Sequence, residues 1–244
     1  MQSNQDYKNA ALAALRGNWA PSLVATVVFI LITLAFTSPS AFMDPVNNPG
    51  LYMGVFGGTT LLAFLVSVPL QVGYYNTFKE LYVTGDNEIT GNMVRFGFGK
   101  YFKTVVTYLL VGLIVFLGFI CFIIPGFLLA YAYLLVPYLL VDEPELSITE
   151  TLKRSRLLMK GHKFDAFYLQ LSFIGWAILA IFTLGIGYLW LYPYIVTATG
   201  VFYKDVAAGT AGKPSSVYGD AAETVPPRSS APEDYMPSGS GDAN

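Results

Sequence analysis

Hydrophobic positions along the chain fall into long blocks, separated by short segments with helical periodicity. Between Arg16 and Lys79 the sole charge is Asp44, inside a break rich in Pro, Asn and Gly that runs from Thr37 to Gly50. The pattern predicts one helix near Trp19–Phe36 and a second near Leu51–Thr77. Thr104 to Val141 and Ala166 to Tyr203 are each 38 residues without Asp, Glu, Lys or Arg. As a single helix each would be roughly 57 Å long, nearly twice the hydrocarbon thickness of a bilayer, so each must fold back. Turn signals sit near their middles, at Ile124-Pro125-Gly126 and Thr183-Leu184-Gly185-Ile186-Gly187. The expected fold is an all-α integral membrane protein with six transmembrane helices arranged as three hairpins.

Composition agrees, with 54% hydrophobic and 12% charged residues against about 25% charged in soluble domains. The first block exceeds the 7–15-residue apolar core of a signal peptide, so it reads as an uncleaved helix. All 14 Lys and Arg fall in the N-terminal segment, in 78–103, in 142–165 or from Lys204 onward, and none lies in the three opposite turns. By the positive-inside rule both termini are cytoplasmic, and Trp19, Tyr101, Phe102, Phe164, Tyr168 and Tyr203 read as interface anchors. A net charge of −2 without a long basic run leaves no footprint for nucleic acid. One cysteine, Cys121, and one histidine, His162, support neither a disulfide nor a metal site. Gly97-Phe98-Gly99 lacks the strand a phosphate loop requires, and no cofactor is expected.

A repeat underlies the blocks. Each hairpin follows a short segment of mixed charge that ends in a basic residue, a glycine and an aromatic: Tyr7 to Trp19, Ile89 to Phe102, and Ser147 to Phe164. In the third, Ile148, Leu152, Ser155 and Met159 share one helical face, while Lys153, Arg156 and Lys160 share another. Ser147 with Glu150 forms a capping-box pattern that fixes the start of this helix. The second helix of each hairpin carries a proline, Pro69, Pro137 or Pro193, whose freed carbonyl needs a partner. Phe78 and Phe202 lie at the same offset from Pro69 and Pro193, each soon followed by Lys and an acid. The alternative is that proline simply occurs more often in membrane helices. These features place a polytopic domain over 1–205. Residues 206–244, rich in Gly, Ala, Ser, Pro and acid, are expected to be a disordered cytoplasmic tail.

The segment from Ser155 to Asp165, then Leu171 to Trp176, Leu184 to Tyr194, and Phe202-Tyr203, resembles the bacterial integral-membrane family known as domain of unknown function 975. Ala14 to Trp19, Ile124-Pro125-Gly126, Val136-Pro137-Tyr138 and Asp142 also fit, and Phe164 stands where that family often has tryptophan. The resemblance implies a multi-pass protein of the bacterial cytoplasmic membrane and supplies no activity.

Candidate chemistry is sparse. No Asp, Glu, His, Lys or Arg falls within the expected spans, and no nucleophile and base are paired, so the reading is non-enzymatic. Gln71, Asn76 and Gln170 near cytoplasmic helix ends suit interhelical hydrogen bonds or, with Asp165, a polar vestibule. Asp165 also suits the positive end of a helix dipole. His162 reads as a solvated or headgroup-contacting residue, without a partner that would make it a base. Lys153, Arg154, Arg156, Lys160, His162 and Lys163 form a candidate surface for anionic lipids or a partner protein, unless their charge serves topology alone. The expected partners are membrane lipids and another membrane protein or a second copy, with no nucleic acid and no identifiable small-molecule substrate. A transporter or flippase of a small amphiphile, suggested by repeats and proline-interrupted helices, is the alternative.

Overall fold

The computed structural model describes residues 3–37, 44, 46–86 and 88–211. Among these every regular element is a helix: α1 Asn4–Leu15, α2 Trp19–Thr37, α3 Pro49–Thr84, α4 Ile89–Phe98, α5 Tyr101–Cys121, α6 Ile123–Ala132, α7 Val136–Asp142, α8 Ile148–Leu158, α9 Lys163–Leu171, α10 Ile174–Phe182 and α11 Tyr188–Ala211. Five segments are long and apolar enough to cross a membrane: Trp19–Phe36, Pro49–Thr84, Tyr101–Cys121, Ile123–Asp142 and Lys163–Phe182. α11, interrupted by Pro193, is not among them.

The expected boundaries shift in five places. α3 passes the predicted end at Thr77 and runs to Thr84, so Lys79 and Glu80 are helical rather than loop residues. The break between α5 and α6 falls at Phe122 in extended backbone, and Pro125 sits in the first turn of α6, where its missing N–H costs nothing. Two expected spans are each split: turns occupy 133–135 and 172–173. The first precedes Pro137, which cannot donate to the carbonyl of Tyr133. At the second, Ser172 keeps a free carbonyl that accepts from Lys8 Nζ at 3.1 Å. Finally, α11 continues to Ala211 and buries Val206, so the tail expected from 206 does not begin there. Residues 212–244 and 38–43 lie outside the described part.

Packing follows the sequence repeat. α2 packs on α3, α5 on α6 and α10 on α11, while α4 lies on α3, α8 on α7 and α1 on α11. The short helices α4 and α8 thus each lie on the helix that comes before them in this order, and α1 lies on α11. Gly17 and Gly161, which follow α1 and α8, both adopt left-handed backbone at φ +87° and +88°, a conformation that favours glycine. The α3–α4 contact also depends on glycine. A Cβ at Gly73 would lie 1.8 Å from the Met93 carbonyl, and one at Gly97 would lie 2.3 Å from that of Pro69. Pro69 leaves the Leu65 carbonyl without its helical donor, and the Tyr101 hydroxyl supplies one at 3.2 Å.

Burial divides the long helices lengthwise. Every buried residue of α3 lies between Val68 and Leu81, while Leu51, Met53, Phe56, Leu61 and Leu62 are exposed. At 36 residues, roughly 54 Å, α3 has length to cross a bilayer with its first half and build a packed end with its second. α6 and α10 expose Ile124, Phe127, Leu128, Ile178 and Phe182, whereas residues 136–140 of α7 and 196–203 of α11 are buried. The faces read for α8 hold. Leu152, Ser155 and Met159 are buried and Ile148 is half-buried, and Lys153, Arg156 and Lys160 are exposed.

Candidate functional site

The packed end is organised by charge. Near the ends of α3, α7 and α11 stand Lys79, Asp142 and Lys204. A carboxylate in the last turn of a helix opposes the dipole and needs cations nearby, and Asp142 closes α7. Its Oδ1 pairs with Lys79 Nζ. Its Oδ2 accepts from Lys204 Nζ at 2.9 Å and from the Tyr203 hydroxyl at 3.0 Å. Lys79, 0% exposed, finds two further oxygens, Asn76 Oδ1 at 3.0 Å and Glu80 Oε1 at 3.2 Å. The buried ammonium thus donates to Asn76 and Asp142 and has Glu80 as a second counter-charge. Asn76 donates to the carbonyls of Val72 at 2.9 Å and Pro137 at 2.7 Å, which joins α3 to α7. Tyr138 stacks on Tyr203 at 4.9 Å, and a Cβ at Gly200 would lie 3.3 Å from Lys79 Cα. Tyr7 in α1 reaches Asp205 in α11 at 2.5 Å. Lys79 and Lys204 share Asp142, and these groups hold the three helices to one another.

The basic segment of α8 and α9 divides into residues held within the fold and residues left open. Arg154 Nε lies 3.3 Å from Glu143, and His162 Nδ1 lies 3.3 Å from Asp165, so His162 has the partner its sequence context did not show. Asp165 occupies the first turn of α9 with no side-chain bond at the cap, so its charge meets the dipole but its side chain faces His162. Lys153, Arg156 and Lys160 are exposed and Lys163 half-buried, with no carboxylate at ion-pair distance among the described residues. Arg156 lies 5.9 Å from the ring centre of Tyr133. Arg156, Lys160, Gly161, Lys163 and Phe164 line a surface cavity of about 290 Å³. The box at Ser147 and Glu150 forms as expected, and the Ser147 hydroxyl and N–H hold the Glu150 carboxyl below its usual range.

The four vestibule residues do not act as one group. Gln71 lines a cavity of about 160 Å³ with Tyr75, Tyr108, Tyr133 and Pro137. Asn76 joins the charged cluster, Gln170 accepts from the Tyr131 hydroxyl at 3.1 Å, and Asp165 faces His162. Tyr203, read as an interface anchor, is buried against Tyr138 because its hydroxyl serves Asp142. Lys79, Asp142 and Lys204 were overlooked as a site because each borders an apolar block. The signal that could have found two of them is the shared offset of Phe78-Lys79-Glu80 and Phe202-Tyr203-Lys204-Asp205 from Pro69 and Pro193.

The stretch that carries Asp142, the basic segment and Lys204 also decides the comparison with known proteins. Residues 113–210 match the family described as "Protein of unknown function (DUF975)". The DUF975 segment runs from within α5 to near the end of α11 and stops short of Lys79, Asn76 and the Ala14 to Trp19 stretch that also resembled the family. No curated protein and no solved structure matches the chain.

Proposed function

We propose that this chain is a non-enzymatic, multi-pass module of the bacterial cytoplasmic membrane that engages lipids or a membrane-protein partner. In this reading there are six crossings in three hairpins, with α11 as the sixth and the packed end and both termini in the cytoplasm, and the concentration of Lys and Arg at that end supports it. The observation that carries the reading is the contrast between an interior cluster of paired charges and the open cations of the α8–α9 segment beside exposed Phe164 and Tyr168. Interior charges that satisfy one another hold helices together, and cations left open beside aromatic surface are placed to meet headgroups. Lys153→Glu, Arg156→Glu and Lys160→Glu together are expected to weaken association of the purified protein with anionic relative to neutral bilayers. Unchanged association, with insertion and orientation intact, overturns the reading.

A second reading, transport or flipping of a small amphiphile, draws on the Gln71 and tyrosine-lined cavity, one wall of which is Pro137, the acceptor for Asn76. It expects substrate movement in proteoliposomes, and absence of movement across a broad panel counts against it.

A further inference from the structure

The basic cavity does not end at its cations. Lys163 and Phe164 also line a second, apolar cavity of about 310 Å³, walled by Ile124, Phe127, Leu128 and Tyr131 of α6 and by Phe167 of α9. The α6 residues fall at i, i+3, i+4 and i+7, one helical face roughly 10 Å long. Phe164 and Ile124 are among the most exposed large side chains described, at 68% and 74%. Both stand in segments apolar enough to cross a membrane. Two adjoining cavities, one cationic and one hydrocarbon-like, share a wall two residues long.

We infer that Arg156, Lys160 and Lys163 bind the phosphate of a single anionic glycerophospholipid whose acyl chain lies in the groove between α6 and α9. This rests on the lipid-engaging reading above and names its site and ligand class. Charge complementarity selects the headgroup. Arg156 stands in the last turn of α8 and Lys160 in the turn after it, and the left-handed turn at Gly161 brings Lys163, at the start of α9, to the same cavity. The first-turn N–H groups of α9 add to the positive field, since no side chain caps that end. Asp165 is in that turn but bonds to His162 and does not line either cavity. The groove selects a lipid over a free phosphate, because a water-soluble anion gains nothing from Phe127, Leu128 and Phe167. The inference also sorts the six basic-segment residues: Arg156, Lys160 and Lys163 bind, while Arg154, His162 and Lys153 do not.

The test uses the full chain purified in detergent and native mass spectrometry with dioleoyl phosphatidylglycerol, dioleoyl phosphatidylcholine and glycerol phosphate as probes. One phosphatidylglycerol is retained per chain in preference to phosphatidylcholine. Arg156→Gln, Lys160→Gln and Lys163→Gln combined reduce that preference by roughly 100-fold, the sum of three basic contacts at their usual strength near headgroups. Leu128→Trp fills the groove and weakens lipid retention on a wild-type basic cavity, while Lys153→Gln changes nothing. Lys163→Gln alone, with an unchanged helical circular dichroism spectrum, guards against misfolding of the triple variant. If glycerol phosphate displaces the lipid regardless of Leu128, the site takes free phosphate and the inference fails. If Lys153→Gln weakens retention as much as Lys163→Gln, the attraction is general charge, so the site fails while the lipid-engaging reading stands. If no anionic lipid is retained by any form, the lipid reading fails with it.

Discussion

The two halves of α3 are made by different rules. From Leu51 to Leu62 it presents large apolar side chains outward and touches little, whereas from Val68 to Leu81 it is enclosed by α1, α4, α7 and α11 and contains Lys79. The same division passes through the other hairpins. In the exposed half the surroundings need only be apolar, so many residues serve. In the packed half Asn76, Lys79 and Asp142 have named partners, and glycines stand where two backbones meet. The exposed half is specified by composition and the packed half by pairs.

The sharpest way to break this contrast is to strip the central partner. Asp142→Asn leaves buried Lys79 with Glu80 as its remaining counter-charge and takes the carboxylate from Lys204 as well, and removing one member of a buried pair costs about 3–5 kcal/mol. Thermal unfolding in detergent should show the largest loss of any single substitution considered, and Lys79→Met with Asp142→Leu should recover much of it. Next come Gly73→Ala and Gly97→Ala, which push α4 off α3 and are expected to cost about 1–3 kcal/mol as overpacked substitutions. Phe116→Ala in the exposed half of α5 should fall within about 0.5 kcal/mol of wild type. An equal loss there would erase the distinction. Arg154→Gln breaks a half-exposed pair and is expected to cost about 0–1 kcal/mol.

The smallest effect is a titration. Glu150 and Asp6 each have a carboxyl held below its usual range, chiefly by the hydroxyl and then the N–H of Ser147 and Ser3. Their contribution is therefore present above the ordinary carboxylate range and is lost as pH falls through the lowered values. Faster amide exchange at the first turns of α8 and α1 on acidification, abolished by Ser147→Ala and Ser3→Ala, is the expected outcome.

Legibility in the sequence follows the same division. The apolar blocks, the turn at Thr183 to Gly187, the faces of α8 and its box were readable because each rests on local periodicity or spacing. The breaks at 133–135 and 172–173 were not, since an unbroken apolar run does not reveal where a carbonyl finds a partner such as Lys8. Nor was the Lys79–Asp142–Lys204 cluster, because residues 63 and 62 positions apart meet only once three helices are assembled. Of the candidate basic surface, residue type was enough to nominate the six. Glu143 and Asp165, which divide them, act through geometry.

The contact of Tyr7 with Asp205 joins residues separated by 198 positions. At roughly 5–20 residues per second, α1 leaves the ribosome some 10–40 s before the helix it packs against exists. During that interval Tyr7 and Ala11 lack the α11 face they pack on, while Leu15 already has Leu70, Tyr74 and Phe78 of the earlier α3 as its cluster. Biogenesis therefore ends with a closure, in which the last helix made completes the cover of the first.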